Sequence, residues 1–397
     1  MRRVLFIDDE LRVLDGLRDL LRKYRKRWDV QFALGGAAGL AELDREMYDV
    51  VVTDMRMPEV DGARVLEYAR ARHPGVVRIV LSGHAEVELA LRTIPEAHQF
   101  LAKPCDSDVL ENVIERACSL RSLIDSSKVR ESIGRLGQLP SAPRVHVELT
   151  ALMTDPRAGA AEAAEVMARD PAMSAKLLQL VNSAFFGLPR RVTNISHAVV
   201  CLGMTTLRNL CLGAGVFASS SRSDIDLDAL EQHSYLVAQV ARRLVPEALA
   251  DDAMLAGLLH DVGLLVLAEA DPGRLATARA RAREMNLPMA ESERAVIGVS
   301  HAEVGGYLLG LWGLPYPIVE AVANHHAPEQ VPQREFDALS AVHVAEALCE
   351  ERASTAIPGL RCDATSLPEY LARFGLEPEL PRFQRIAADL AEVQAAR

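Results

Sequence analysis

Aromatic side chains are scarce in this sequence: Phe, Trp and Tyr make up 5% of 397 residues, although hydrophobic residues as a whole reach 49%. A core so poor in rings has to be filled with aliphatic side chains, and the long Ala/Leu/Arg/Glu tracts predict mostly helix. Positive charge is also in deficit, 44 Lys and Arg against 55 Asp and Glu, for a net charge of -11. Phosphate backbones need a basic stripe, and no basic recognition helix or helix-turn-helix pattern occurs, which argues against a nucleic-acid partner. Arg190, Arg191 and Arg208 read as ordinary solvated positions. The six cysteines, Cys105, Cys118, Cys201, Cys211, Cys349 and Cys362, form no CxxC pair and no compact framework. Reduced thiols and a cytoplasmic location are therefore expected. The start, MRRVLFIDDE, turns acidic at Asp8, too soon for a signal peptide. The most apolar tract, Ala253 to Ala270, carries His260 and Asp261 at its centre, so it is expected as a buried helix and no membrane contact follows.

What is present is organised around Val50 to Gly62, VVVTDMRMPEVDG. An apolar run ending in Thr53-Asp54 predicts a buried parallel strand that delivers a carboxylate to the edge of a sheet. Val4–Ile7 before Asp8-Asp9-Glu10, Trp28–Ala33, Val77–Leu81 before Ser82-Gly83, and Gln99–Ala102 before Lys103-Pro104 predict four more strands. Helices carrying Leu11, Leu14, Leu17, Leu20 and Leu21, then Leu40 and Leu43, then Val65, Leu66 and Ala69, fall between them. The alternation predicts an α/β doubly wound five-stranded parallel sheet. Ligands of such sheets bind outside the carboxyl ends of the strands, where Asp8, Asp9, Asp54, Ser82 and Lys103 all fall. Three clustered carboxylates repel one another unless a cation joins them, and hard oxygen donors suit Mg²⁺. The cation would also neutralise an incoming phosphoryl group while Asp54 attacks phosphorus. A nucleotide or flavin site would want a glycine-rich loop after the first strand, and the sequence there is Asp8-Asp9-Glu10.

This constellation resembles the receiver domain of two-component response regulators, over roughly residues 1–120. The resemblance implies a flavodoxin-like fold, phosphorylation of Asp54 by a sensor histidine kinase, and Mg²⁺ held by Asp8, Asp9 and Asp54. It further implies that Ser82 and Lys103 sense the phosphoryl group and that Phe100 occupies the switch aromatic position, without the hydroxyl of the commoner Tyr. The last receiver helix, with Val109, Val113, Ile114, Ala117 and Leu120 on one face, is expected to run into a helical linker over 121–135.

After the Pro-rich break at 136–143 no convincing strand appears, so the second half is expected to be all helix. Asp170-Pro171 and Asp271-Pro272 are N-caps followed by proline at the first helical position. The helix opened at Asp170 is expected to run to Gly187. Ser300 and Glu303 form a capping box at the head of HAEVGGYLLGLWG, which Gly313 and Pro315 close. The tracts LPSAPRVHVELTALMTDP, ARDPAMSAKLLQLVNSAFFGLPRRVTNISHAVVCLGMTTLRNL, AGLLHDVGLLVLAE, SHAEVGGYLLGLWGLP and VANHHAP resemble the HDOD family, an HD-superfamily-like all-α output domain, over 136–350. A helical C-terminal extension, 351–397, lies outside that resemblance.

His233, His260, Asp261, His301, His325, His326 and Glu346 form a candidate second metal set. Imidazoles with one or two carboxylates suit Fe, Mn, Zn or Ni better than Ca²⁺. Placed on one helix, His260 and Asp261 would point about 100° apart and touch one metal or bridge two. Against catalysis, Gly263 is followed by Leu264 where phosphodiesterase relatives carry Lys, and APEQVPQREFD stands where the GYP signature of cyclic-di-GMP phosphodiesterases would be. His146, His197 and His343 are given no functional role. The reading is a cytosolic response regulator in which phosphotransfer to Asp54 controls a non-catalytic HDOD module for signalling and protein interaction. Its partners would be a kinase, a downstream protein and a second copy in a homodimer. The alternative is a metal-dependent HD-type phosphohydrolase gated by the receiver.

Overall fold

The computed structural model describes residues 1–83, 96–105, 107–120, 130–131, 133–134, 139, 143–155, 157–183, 191–213, 225–333, 335–350 and 367–395. Contacts divide the chain into two units, the first comprising 1–138 with the short segments 179–191 and 310–313, the second the remainder.

The first unit holds β1 (Arg2–Asp8), α1 (Leu11–Leu21), β2 (Trp28–Leu34), α2 (Gly36–Arg45), β3 (Val50–Thr53), α3 (Gly62–Arg72), β4 (Val77–Gly83), β5 (Gln99–Lys103) and α4 (Ser107–Leu120). The strands are parallel in the order β2-β1-β3-β4-β5, which is the expected doubly wound sheet. Val4–Ile7 and Val50–Val52 are buried because helices cover both faces, so these strands read as continuous apolar runs rather than alternating ones. On α1, Leu14, Leu17 and Leu21 are buried, whereas Leu11 lies at the exposed start of the helix. On α4 the buried stripe is Leu110, Val113, Ile114 and Cys118, and Val109 faces out. The helix is turned so that Glu111 accepts from the Tyr24 hydroxyl at 2.6 Å and Glu115 from Trp28 Nε1 at 2.7 Å. The linker positions 121–129 lie outside the described residues.

Among the described residues no strand follows β5. The remaining helices are α5 (Pro143–Thr154), α6 (Ala160–Met167), α7 (Pro171–Val181), α8 (Ile195–Leu202), α9 (Met204–Gly213), α10 (Leu227–Leu244), α11 (Glu247–Leu259), α12 (Val262–Ala270), α13 (Pro272–Met285), α14 (Met289–Val296), α15 (His301–Leu311), α16 (Tyr316–Asn324), α17 (Ala338–Glu350), α18 (Leu367–Ala372) and α19 (Leu380–Ala395). The expected caps form: Asp170 Oδ1 accepts from Met173 N at 2.8 Å and Asp271 Oδ1 from Arg274 N at 3.1 Å. Ser300 and Glu303 exchange backbone-to-side-chain bonds of 2.7 and 3.4 Å. The helix after Asp170 ends at Val181 instead of continuing to Gly187, and 184–190 lie outside the described residues.

The second unit's core is built on α10, α11 and α17, which pack against one another, with α17 buried from Ala338 to Cys349. The apolar stretch Glu247–Ala270 is long and apolar enough to cross a membrane, but 83% of its most apolar window is buried within the fold, as a core segment would be. It is also not one helix. It breaks at His260-Asp261, with Asp261 at φ -96°, ψ 8°, so these two residues leave the chain from different helices. The C-terminal helices α18 and α19 belong to this unit: Tyr370 donates to Gln333 Oε1 at 3.0 Å, and Leu371 and Phe383 are buried.

Candidate functional site

Two sites emerge, one in each unit. In the first, β1 and β3 are neighbours, and Asp54 N donates to Ile7 O at 2.8 Å, so Asp8 and Asp54 open side by side at the carboxyl edge of the sheet. Both are buried, whereas Asp9 is exposed. Lys103, at the end of β5, bridges them: Nζ lies 2.7 Å from Asp8 Oδ2 and also contacts Asp54 Oδ1. Asp54 Oδ2 accepts from Arg56 N at 2.8 Å, and Asp8 Oδ1 from Glu10 N at 3.0 Å. Gly62 closes the loop after Asp54, because a Cβ there would lie 2.1 Å from Asp54 O. The Lys103–Pro104 peptide is cis. Phe100 is buried on β5 opposite Val80, and Ser82 pairs with Ala102 at the end of β4; the Ser82 side chain lies outside the described residues.

Burial pushes the Asp54 carboxyl above its ordinary pKa, with Lys103 opposing and Asp8 adding to the rise. Burial pulls Lys103 down, yet its pKa ends raised because Asp54 and Asp8 together outweigh the desolvation. One ammonium thus serves two carboxylates, which leaves an excess of negative charge at the edge. The three acids are hard oxygen donors of the kind Mg²⁺ takes, usually with several waters retained.

The second site brings together all seven candidate ligands of the helical unit. His233 comes from α10, His260 from the end of α11, Asp261 from the head of α12, His301 from the first residue of α15, His325 and His326 from the turn after α16, and Glu346 from α17. Asp261 is central. Its Oδ2 lies 3.2 Å from His260 Nε2 and 3.8 Å from His233 Nε2, and its Oδ1 lies 3.2 Å from His301 Nε2. His326 Nε2 is 2.8 Å from His301 Nε2, and Glu346 is 3.8 Å from both His325 Nε2 and His326 Nδ1. Within each of the triads His233–His260–Asp261 and His301–His325–His326, one ligand atom per residue lies within 4.8 Å of the others.

The side chains are buried, and burial lowers His233 to about 4, His260 adding to the effect. Burial also presses on His260, but Asp261 outweighs it and lifts that ring to about 9. Asp261 is held well below the usual carboxylate range: burial opposes, and His260 and His301 prevail. Burial first, then His260 and His301, keeps His325 well below the ordinary histidine range. His260 Nε2, His325 Nε2, both nitrogens of His233 and both oxygens of Asp261 form no hydrogen bond among the described residues. Each such buried group costs about 1–3 kcal/mol when left so. Convergent imidazole and carboxylate atoms with that deficit fit a borderline transition metal, which the surrounding charges would neutralise.

Three supporting residues escaped the sequence reading. Glu293 on α14 is fully buried and accepts from His301 Nδ1 at 2.6 Å and from His301 N at 2.7 Å. His343 Nδ1 lies 2.8 Å from His325 O, and the Tyr370 ring packs on His343 with centroids 4.7 Å apart. No local motif marks them; only the buried placement of a charged or polar side chain does.

A doubly wound sheet with an Asp–Lys–Asp pocket, followed by a helical unit with a His-Asp pair at its heart, defines a receiver joined to an HD-like output. Comparison with known proteins agrees. The chain carries a response regulator receiver domain at residues 4–115 and an HDOD domain at 139–328, the architecture of a response regulator with an HDOD output domain. Glu346, His343 and Tyr370 lie beyond that second match. Relatives include an uncharacterized protein of Treponema pallidum, 28% identical over 60% of this chain and 47% of its own length. Another is the transcriptional regulatory protein ZraR of Escherichia coli strain K12, 27% identical over 35% of this chain and 32% of its own. This chain therefore spans half or less of those relatives. The MmoQ response regulator structure from Methylococcus capsulatus shares the fold with a TM-score of 0.50 at 23% identity, over 62% of this chain and 98% of that one.

Proposed function

We propose that the protein is a phosphorylation-controlled signalling module: a histidine kinase or another phosphodonor phosphorylates Asp54, and the HDOD domain answers by binding a downstream protein. The observation that carries the proposal is the pairing of Asp8 and Asp54 across one lysine, Lys103, at the carboxyl edge of the sheet. Mg²⁺ bound by Asp8, Asp9 and Asp54 would screen the charge of an incoming phosphoryl group. Asp54 Oδ is the nucleophile, and it forms an acyl phosphate as the donor's phosphorus–heteroatom bond breaks. Lys103 then has a phosphoryl oxygen to pair with in place of a carboxylate. The test is incubation with acetyl phosphate and Mg²⁺, followed by acid-labile phosphate analysis. Wild type should be labelled and Asp54→Asn should not; label retained in the variant would contradict the assignment.

A second reading concerns the helical unit, and the unsatisfied ligand atoms around Asp261 support it. We propose that His233, His260, Asp261, His301, His325, His326 and Glu346 hold one or two Fe, Mn, Zn or Ni ions. When bound, such ions activate water for phosphoester hydrolysis or fix the surrounding helices. The deep burial of the set and Leu264 in place of a phosphate-pairing lysine favour the fixing role. Metal analysis of untagged protein purified without chelator separates a metal site from none. Screening of cyclic dinucleotides with metal supplied then separates enzyme from module.

A further inference from the structure

The second candidate site contains a carboxylate with no place in the ligand set. Glu293 sits on α14, eight positions before His301, and is fully buried. Its Oε2 takes two hydrogen bonds from one residue, from the His301 backbone N–H at 2.7 Å and from His301 Nδ1 at 2.6 Å. A carboxylate can only accept here, so Nδ1 carries the proton and Nε2 is left as the donor atom. That Nε2 faces Asp261 Oδ1 at 3.2 Å and His326 Nε2 at 2.8 Å, the direction from which a metal would be shared. The other oxygen, Oε1, has no hydrogen bond among the described residues, so Glu293 is not buried there to satisfy a wider polar network.

We infer that Glu293 is a positioning residue: it fixes both the tautomer and the ring angle of His301, and metal uptake by the pocket depends on it. The inference rests on the metal reading above. A metal-ligating histidine needs its second nitrogen anchored, because a ring free to rotate loses affinity to its own disorder, and loss of such an anchor typically costs tenfold to a hundredfold in metal affinity. Glu293 also joins His301 to the α13–α14 hairpin, where Ser292 Oγ donates to Ala278 O at 2.7 Å, so the anchor is itself held.

The experiment is Zn²⁺ affinity of the full chain, untagged, by competition with a chromophoric chelator, for wild type, Glu293→Ala and Glu293→Gln, with the thermal midpoint of each metal-free protein alongside. Glu293→Ala should lower Zn²⁺ affinity about tenfold to a hundredfold. Glu293→Gln, which keeps an acceptor oxygen, should recover part of the loss. Affinity in Glu293→Ala equal to wild type would overturn the inference and leave the metal reading standing. No Zn²⁺ uptake by wild type would overturn both. If the alanine variant fails to fold, the glutamine variant decides: a reduced affinity at an unchanged metal-free midpoint supports the role, and an unchanged affinity refutes it.

Discussion

His260 and Asp261 are consecutive in the chain but cap different helices, and their side chains meet at 3.2 Å between Nε2 and Oδ2. The helix break between α11 and α12 makes this geometry. His260 Nδ1 is tied back to Gly257 O at 2.7 Å, while Asp261 caps a new helix whose Gly263 lies against the first turn of α15. Gly263 permits the approach, since a Cβ there would lie 1.9 Å from His301 O.

Gly263→Ala should therefore damage both fold and site. Overpacking against backbone costs about 1–3 kcal/mol, roughly 2–12 °C in a domain of this size. Differential scanning calorimetry should show the loss, and metal analysis should show depletion, because His301 is displaced from Asp261. An unchanged midpoint would mean that the two helices separate without cost.

Metal removal should lower the midpoint of the helical unit. A ligand present at a hundred times its dissociation constant stabilises the state that binds it by about 2.7 kcal/mol. Chelation should abolish that increment in wild type and change nothing in a His260→Ala, Asp261→Ala double variant. Equal midpoints with and without chelator in wild type would contradict the prediction.

The Asp54 carboxyl is raised on folding, mainly by burial. A carboxyl raised in this way costs no stability below its unfolded pKa of about 3.9; the cost builds up as pH rises from there to the raised folded value and is constant above it. In chelator, Asp54→Asn should thus be more stable than wild type at neutral pH, and the difference should shrink to nothing as acid neutralises both forms. Urea unfolding at the two pH values reads it directly.

Lys103→Ala should expose the repulsion between Asp8 and Asp54. Removing one partner of a buried ion pair costs about 3–5 kcal/mol. The Lys103 side chain is 23% exposed, so a loss somewhat below that range is expected. Millimolar Mg²⁺ should restore much of the lost stability by replacing one cation with another, as thermal shift would report. No response to Mg²⁺ would count against a cation site at Asp8, Asp9 and Asp54.

Much of the receiver could be read in the sequence because strand period and strand end determine position: once Val50–Val52 is a buried parallel strand, Asp54 must emerge at the ligand edge beside Asp8. That the seven candidate residues of the helical unit belong to one set was also legible, from residue types in local motifs, and so were the N-caps at Asp170 and Asp271. The register of α4 was not, because Val109 and Leu110 are equally apolar and only the packing of α4 chooses which turns inward. Nor was the placement of Glu293, His343 or Tyr370, each of which is set by a contact between separate elements rather than by helical spacing. The sequence by itself determined which chemistry each segment could supply, since that depends on residue type and on periodicity within a few turns. Only the tertiary structure decided which segments meet: the break at His260-Asp261, the close approach at Gly263 and the burial of Glu293 against His301 all depend on how distant helices pack.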